Sequence, residues 1–444
     1  MPIPDKEHFL PLRYLKLASF HVGSAIADLL TSGVWNRVMV VDLGVSASPV
    51  ALLSALRYLL APIALWAGHL SDRRPLFGRR RLSYIWLGRL LMLLATPLLP
   101  TSALLISAAG TAWIGWTLAS LALGMYGAGT LVSGPVFLAL VHDVTSTERR
   151  PQVMGLVQTV LVGSFAFVPF AYAALLPEYE IGLFFRLAYL ATIAAAAFWL
   201  FSIWREERAV SLPSTEQPPQ KLGQSLRLIW AHPSARLYAL FLGLSGIFTF
   251  MHDPVLEPFG GDVFSLPVGQ TTRFNTFWGA GVLLGMIATV SAMKRGTAQR
   301  QVMLATLGLA ASAATLVGLA ASSLLQALGV VRPILFLFGV GSGAYTAALA
   351  GLLMIMSREG WAGSYLALWS AVMLLSRGAG VALGGIMRDV SLYLSGSFSE
   401  AYAAVFLVNA AGLAASIALL ERAQVQQFAA GCADSSQLSE AFPE

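Results

Sequence analysis

A chain of 444 residues that is 57% hydrophobic and only 11% charged, with a mean hydropathy of +0.71, does not have the composition of a soluble domain. Its net charge of +6 could point to nucleic acid in a soluble protein, but most Lys and Arg fall in loops expected to share one membrane face, so no nucleic-acid partner is expected. The single Cys, Cys432, excludes an intramolecular disulfide and a cysteine-based metal cluster.

The apolar stretches run to about 20 residues, enough to cross a hydrocarbon core of roughly 30 Å as helices. They do not alternate, which argues against a barrel and makes the lipid bilayer the first partner. No cleavable signal peptide is expected, because residues 1–16 carry Pro, His and charge and the following apolar run is too long for an h-region.

In chain order, the lead-in HFLPLRYLKLASF enters a first span at about 17–41, which holds His21, Asp28, Asn36 and Arg37. The second span, about 48–70, carries Arg57 near mid-depth and runs into GHLSDRRPLFGRRR, whose five arginines mark a cytoplasmic loop. Span three starts near Leu82 and buries Arg89 about two turns in. Span four, about 113–141, contains the small residues Gly124, Gly127, Gly129, Ser133 and Gly134, a spacing that lets helices approach closely. Spans five (about 153–176) and six (about 182–204) follow the basic loop HDVTSTERRPQ and are joined by PEYE.

The polar, proline-rich stretch REERAVSLPSTEQPPQKLG has no apolar face and reads as a cytoplasmic linker. The expected domains are therefore a six-helix half over 1–204, a linker over 205–235, a second six-helix half over 236–422 and a polar cytoplasmic tail over 423–444. Spans seven to twelve fit about 236–258, 272–293, 301–323, 332–356, 361–385 and 400–421. With both termini inside, Arg37, Arg186, Arg273, Arg332 and Arg388 lie at the outer side, Arg57, Arg89 and Arg377 lie within spans, and the rest of the 28 basic residues are cytoplasmic.

A weak internal repeat supports two related halves: GAGTLVSGPVFLAL from Gly127 resembles GVGSGAYTAALAGL from Gly339 without a gap. Duplicated six-span halves around a central linker form an all-α membrane protein of the twelve-helix major facilitator architecture, whose binding sites lie between the halves near the midplane.

Two groups of residues carry the candidate chemistry. MHDPVLEPFGGDVF places His252, Asp253 and Glu257 at the end of an apolar helix expected to loosen at Pro254 and stop near Pro258. Ionisable groups at such a place either cap the helix in the interface or contact a ligand, and both readings stay open. A buried imidazole can ligate or hydrogen-bond a ligand, which makes His252 a candidate contact, with Asp253 or Glu257 orienting it or binding a partner. His21 and Trp278 are further candidate ligand contacts, with a packed interface His and a packing Trp as the plainer alternatives. The second group is Asp28, Arg57, Arg89 and Arg377, an intramembrane charge pair or gate in which Asp28 is the expected partner of Arg57. No P-loop, HExxH or nucleophile beside a base is present, so an enzyme is not expected, nor any metal or nucleotide cofactor.

Gly68, Asp72, Arg73, Gly78, Arg79 and Arg80 resemble the signature that major facilitator proteins carry between spans two and three, with a longer Arg73 to Gly78 spacing. Asp72 at a helix N-terminus and arginines on carboxylates or lipid phosphates would latch one conformation.

Finer resemblance comes from NRVMVVDLGVSASPVALLSALRYLLAPIALWAGHLSD, RRRLSYIWLGR, HDVTSTERRPQVMGLVQ and HDPVLEPFGGDVFSLPVGQTTRFN, which are similar to the PucC/LhaA family, the bacteriochlorophyll-delivery branch of the major facilitator superfamily. That resemblance covers about residues 10–420 and departs from the family at His252, where a Gln is expected, and at Phe259, where a Tyr is expected. It implies a multi-pass protein of the bacterial inner membrane, cytoplasmic or photosynthetic intracytoplasmic, that binds and delivers (bacterio)chlorophyll as cargo, with His252 the candidate axial ligand of its magnesium and Asp253, Glu257, His21 and Trp278 further candidate pigment or client contacts. The same resemblance implies partners among light-harvesting antenna subunits, reaction-centre proteins and pigment-synthesis enzymes. The alternative is a proton-coupled secondary transporter of a small solute, working through Asp28 or Glu257.

Overall fold

The computed structural model describes residues 12–61, 63, 67, 70–71, 76, 79, 81–146, 148–207, 233–293, 297–355 and 362–423. Among them no strand occurs, and the backbone polar groups are satisfied inside helices, as an apolar solvent requires. We number the helices α1 Leu12–Asp42, α2 Ala47–Leu59, α3 Leu82–Ser107, α4 Ala112–Val144, α5 Arg150–Leu175, α6 Ile181–Ile203, α7 Pro233–Phe250, α8 Leu256–Phe264, α9 Val268–Met293, α10 Ala298–Leu324, α11 Leu328–Ile355, α12 Ala362–Ser395 and α13 Phe398–Arg422. Ten of these helical runs are long and apolar enough to cross a bilayer. The shorter apolar helices Ala47–Leu59 and Arg236–Phe250 fall where the second and seventh spans are expected.

The chain divides into two compact units, Met1–Trp35 with Leu60–Leu212, and Asn36–Leu59 with Pro213–Glu444. The division passes through α1, whose turns widen to an i→i+5 pattern at Leu29–Val34 and again at Val38–Asp42.

In the first unit, α3 and α4 touch through backbone: a Cβ added to Gly88 would lie 2.5 Å from the Gly129 carbonyl, and one added to Gly129 would lie 2.4 Å from that of Gly88. Of the small-residue series in span four, Gly129 and Ser133 make this contact, whereas Gly124 and Gly134 face open space. The first residues of the expected linker fold back onto this unit. Glu206 accepts hydrogen bonds from Arg13 (2.8 Å) and Lys16 (2.7 Å), and Glu207 accepts from the Arg81 and Leu82 amides at the start of α3 (2.9 and 2.8 Å). The rest of the linker, 208–232, lies outside the described residues, as does the tail from 424.

The second unit has a core of α7–α13 side chains around Phe241, Phe259, Leu335, Tyr345 and Phe406. Here α9 and α11 meet at four glycines. Added Cβ atoms at Gly281, Gly285, Gly339 and Gly343 would stand 2.0 to 2.2 Å from carbonyl oxygens of the facing helix. Helix α2 is held by α12: Gly385 leaves room for Ala47 and Ala51, and Asp389 accepts from the Ala47 and Ser48 amides at 3.0 and 2.7 Å. That carboxylate caps the amide groups that a helix start leaves without partners.

Candidate functional site

The joint between α7 and α8 corrects one expectation. The helix ends at Phe250 and the turn Met251–Val255 leads into α8, so Pro258 does not stop a helix but sits in the first turn of a new one. A first turn tolerates proline because its amide would have no intrahelical acceptor anyway. Gly260 and Gly261 also lie inside α8, where side chains would collide with Phe274 and Thr271 and with Val41, all at 2.7 Å. Helix α8 ends at Ser265, which takes the left-handed conformation at φ 54°.

Around this joint the second unit gathers its charges. His252 is 2% exposed; its Nε2 lies 3.5 Å from Asp253, and its ring packs edge-on against Phe338 at 4.6 Å and at a tilt against Trp278 at 6.0 Å. Asp253 reaches on to Arg377 Nη2 at 3.3 Å, and that guanidinium stacks over Phe250 and Tyr58. Arg377, grouped in the sequence with a charge gate, thus joins the His252–Asp253 stretch. Both oxygens of Glu257 accept hydrogen bonds, from Thr272 (3.1 Å) and Asn275 (2.6 Å).

Three groups that sequence reasoning missed complete this set. Arg388, assigned only to an outer end, is 5% exposed and donates to Asp262 (2.5 Å) and Asp389 (2.9 Å), while the Tyr402 hydroxyl donates to Asp262 at 2.6 Å. Arg37, 2% exposed, pairs with Asp42 and donates to Thr271 (3.2 Å) and the Leu266 carbonyl (2.9 Å). Asn36 donates to the Pro254 carbonyl at 2.6 Å. The signal available in the sequence was the Arg388-Asp389 pair inside an apolar helix, which has no reason to be there unless a partner neutralises it.

Arg57 belongs to this unit as well, donating to the Tyr58 hydroxyl at 2.6 Å. Asp28, its expected partner, belongs to the first unit, where the Tyr126 hydroxyl lies 3.4 Å from it. A crevice lined by Thr249, Leu309, Ser312, Phe338, Ser342, Tyr345 and Leu413 is too tight for a water molecule and is no cargo cavity in this conformation.

In the first unit the polar groups are placed differently. Arg89, 2% exposed, lies with its guanidinium carbon 4.3 Å from the Phe20 ring centroid and 4.5 Å from that of Trp199. Among the described residues its one hydrogen bond goes to the Met92 sulfur at 3.2 Å, and Nε has no partner. His21 meets Phe20 and Phe137 edge-on at 5.9 and 5.4 Å, and neither ring nitrogen has a hydrogen-bond partner among the described residues. Of the loop signature, Gly68, Asp72, Arg73, Gly78 and Arg80 lie outside the described residues. Arg79 is exposed and exchanges backbone hydrogen bonds with Leu76. Among the described residues no three His, Cys, Asp or Glu gather as a metal site.

Solved structures with this arrangement are major facilitator transporters. A bacterial homologue of the lysosomal transporter Spinster matches with a TM-score of 0.67 at 14% identity, over 92% of this chain and 96% of its own. A D-xylose–proton symporter matches with a TM-score of 0.65 at 13% identity, over 90% and 97%. At those identities the likeness fixes the fold alone: a multi-pass membrane protein with the major facilitator fold.

The chain belongs to the PUCC family, described as PUCC protein, which matches residues 34–428. It is 32% identical to an uncharacterized protein of the puhA-bchM intergenic region of Rhodobacter capsulatus, over 86% of this chain and 81% of that one. It is 29% identical to Protein PucC of the same organism, over 91% of each chain. To a further Rhodobacter capsulatus protein, named bacteriochlorophyll synthase 44.5 kDa chain, it is 27% identical over 86% of this chain and 88% of that one.

Proposed function

We propose that this protein is an assembly factor for light-harvesting complexes: it binds (bacterio)chlorophyll or nascent antenna subunits in the bacterial inner membrane and promotes their association, without catalysing a reaction. The observation that carries this reading is the family match over residues 34–428, most of the chain, together with a relative named for bacteriochlorophyll synthesis. Delivery needs a protein that offers helix faces within the bilayer, and the fold supplies them. Antenna subunits, reaction-centre proteins or pigment-synthesis enzymes are the partners of this reading.

His252 is the sequence candidate for a magnesium ligand. At 2% exposure its ring would have to swing away from Phe338 before a macrocycle reached it. A His252→Ala variant that keeps its full pigment content would remove that residue from the reading.

The rival, a proton-coupled transporter, draws on the fold and on buried acids, yet both Glu257 oxygens are already held by neutral donors. Purification in mild detergent from a chlorophyll-making host separates the two. Pigment absorption with co-purifying antenna subunits is the expected result, and a colourless protein that exchanges a solute in liposomes would overturn it.

A further inference from the structure

A buried arginine with no counter-charge among the described residues needs an explanation. A guanidinium carries five N–H donors and stays ionised, and in an apolar interior each unused donor costs free energy. Arg89 spends one hydrogen bond on a thioether, a weak acceptor, and among the described residues no carboxylate lies within ion-pair distance of it. The rings of Phe20 and Trp199 offset part of the charge by cation–π attraction but accept none of the donors in the guanidinium plane.

The same aromatic cluster holds a second group in the same condition. His21 follows Phe20 in α1, and its ring abuts Phe137, which itself stacks on Phe20 at 3.7 Å. Both of its nitrogens are buried, and neither is hydrogen-bonded among the described residues. A neutral imidazole there has one N–H to give, and a carboxylate is the acceptor that both His21 and Arg89 lack.

The rings are themselves held firmly. Trp199 is fully buried, its indole N–H lies 3.4 Å from Ser24, and Gly23 leaves it room, since a Cβ there would stand 2.9 Å from the indole nitrogen. Phe20 and Phe137 are also fully buried. The cation is thus fixed in a preformed aromatic frame, which suits recognition better than a mobile surface arginine would.

We infer that Arg89, with His21 as second donor, forms a binding site in the first unit for the carboxylate of an otherwise apolar ligand. The ligand chemistry is a single carboxylate on a body that the phenyl and indole rings can cover. A tetrapyrrole acid and a long-chain fatty acid both present it. The choice of a tetrapyrrole as one probe rests on the pigment-delivery reading; the carboxylate site rests on Arg89 and His21 alone.

The test is binding to the purified full-length protein in detergent, with each acid compared with its methyl ester. Metal-free protoporphyrin IX and its dimethyl ester are followed by fluorescence, and palmitate competes against methyl palmitate; the absence of a metal keeps imidazole ligation out of the signal. At least one acid is expected to bind roughly ten- to a hundredfold tighter than its ester, as charge-assisted hydrogen bonds to a buried guanidinium imply.

The porphyrin pair discriminating alone assigns the site to a tetrapyrrole acid; the palmitate pair discriminating alone assigns it to a lipid acid. Arg89→Gln should abolish the preference for the acid, and His21→Phe should reduce it. Equal binding of acid and ester in both pairs overturns the inference, and that comparison needs only the unaltered protein, so a variant that fails to fold does not rescue it. Pigment and antenna co-purification would then still stand or fall by itself.

Discussion

Arg388 in the second unit and Arg89 in the first are equally hidden, at 5% and 2% exposure, but they are not equally served. Arg388 meets two carboxylates, and Asp262 also takes the Tyr402 hydroxyl, whereas Arg89 meets two rings and a sulfur. The first arrangement answers its own desolvation cost and explains itself as structure. The second leaves donors over, and a membrane protein that keeps such a group without neutralising it gains something other than stability from it. Burial alone therefore does not mark a functional charge; unused hydrogen-bonding capacity does.

The comparison breaks or holds on four substitutions. Arg388→Met leaves Asp262, itself 7% exposed, as a buried acid without its cation, and should destabilise by about 3–5 kcal/mol. Thermal unfolding in detergent would read this as the largest fall in apparent Tm. Adding Asp262→Leu should restore much of it, because the orphaned charge and not the lost pair is the main cost.

Asp389→Ala removes the carboxylate that accepts from the Ala47 and Ser48 amides and from the Ser48 hydroxyl, and should cost about 1–2 kcal/mol in the same assay. Faster amide exchange should appear at the start of α2. Arg89→Met, by contrast, should change stability by less than about 1 kcal/mol, or raise it, since an apolar side chain of similar length replaces a cation that meets no carboxylate among the described residues. A loss as large as that of Arg388→Met would mean that the rings and the sulfur already satisfy Arg89, and the contrast would disappear.

Much of this was legible in the chain. The apolar runs gave the spans because lipid leaves a long unalternating segment little choice but a helix, and His252, Asp253 and Glu257 stood out as ionisable groups that do meet partners. What was not legible was partner identity. Asp262 and Arg388 lie 126 positions apart, and nothing in their local sequence points one at the other. Pro258 misled for a different reason: a proline reads as a terminator unless a helix start falls just before it, and that start is set by the turn at Met251–Val255. Arg377 reads as one of four intramembrane charges, and the structure also brings Asp253 of the neighbouring group beside it. His21 and Arg89 were both singled out, yet only geometry shows that neither is satisfied within its unit.

The four glycines where α9 meets α11 restrict how this protein can change over generations. Gly281 and Gly285 face carbonyls of α11, and Gly339 and Gly343 face carbonyls of α9, each with space for hydrogen alone. At an ordinary interface a larger residue on one helix can be balanced by a smaller one opposite. Here every position already holds the smallest residue there is, and the opposing surface is backbone, which no substitution trims. No second-site suppressor is available across this seam, so a selection for revertants of Gly281→Ala should return glycine itself.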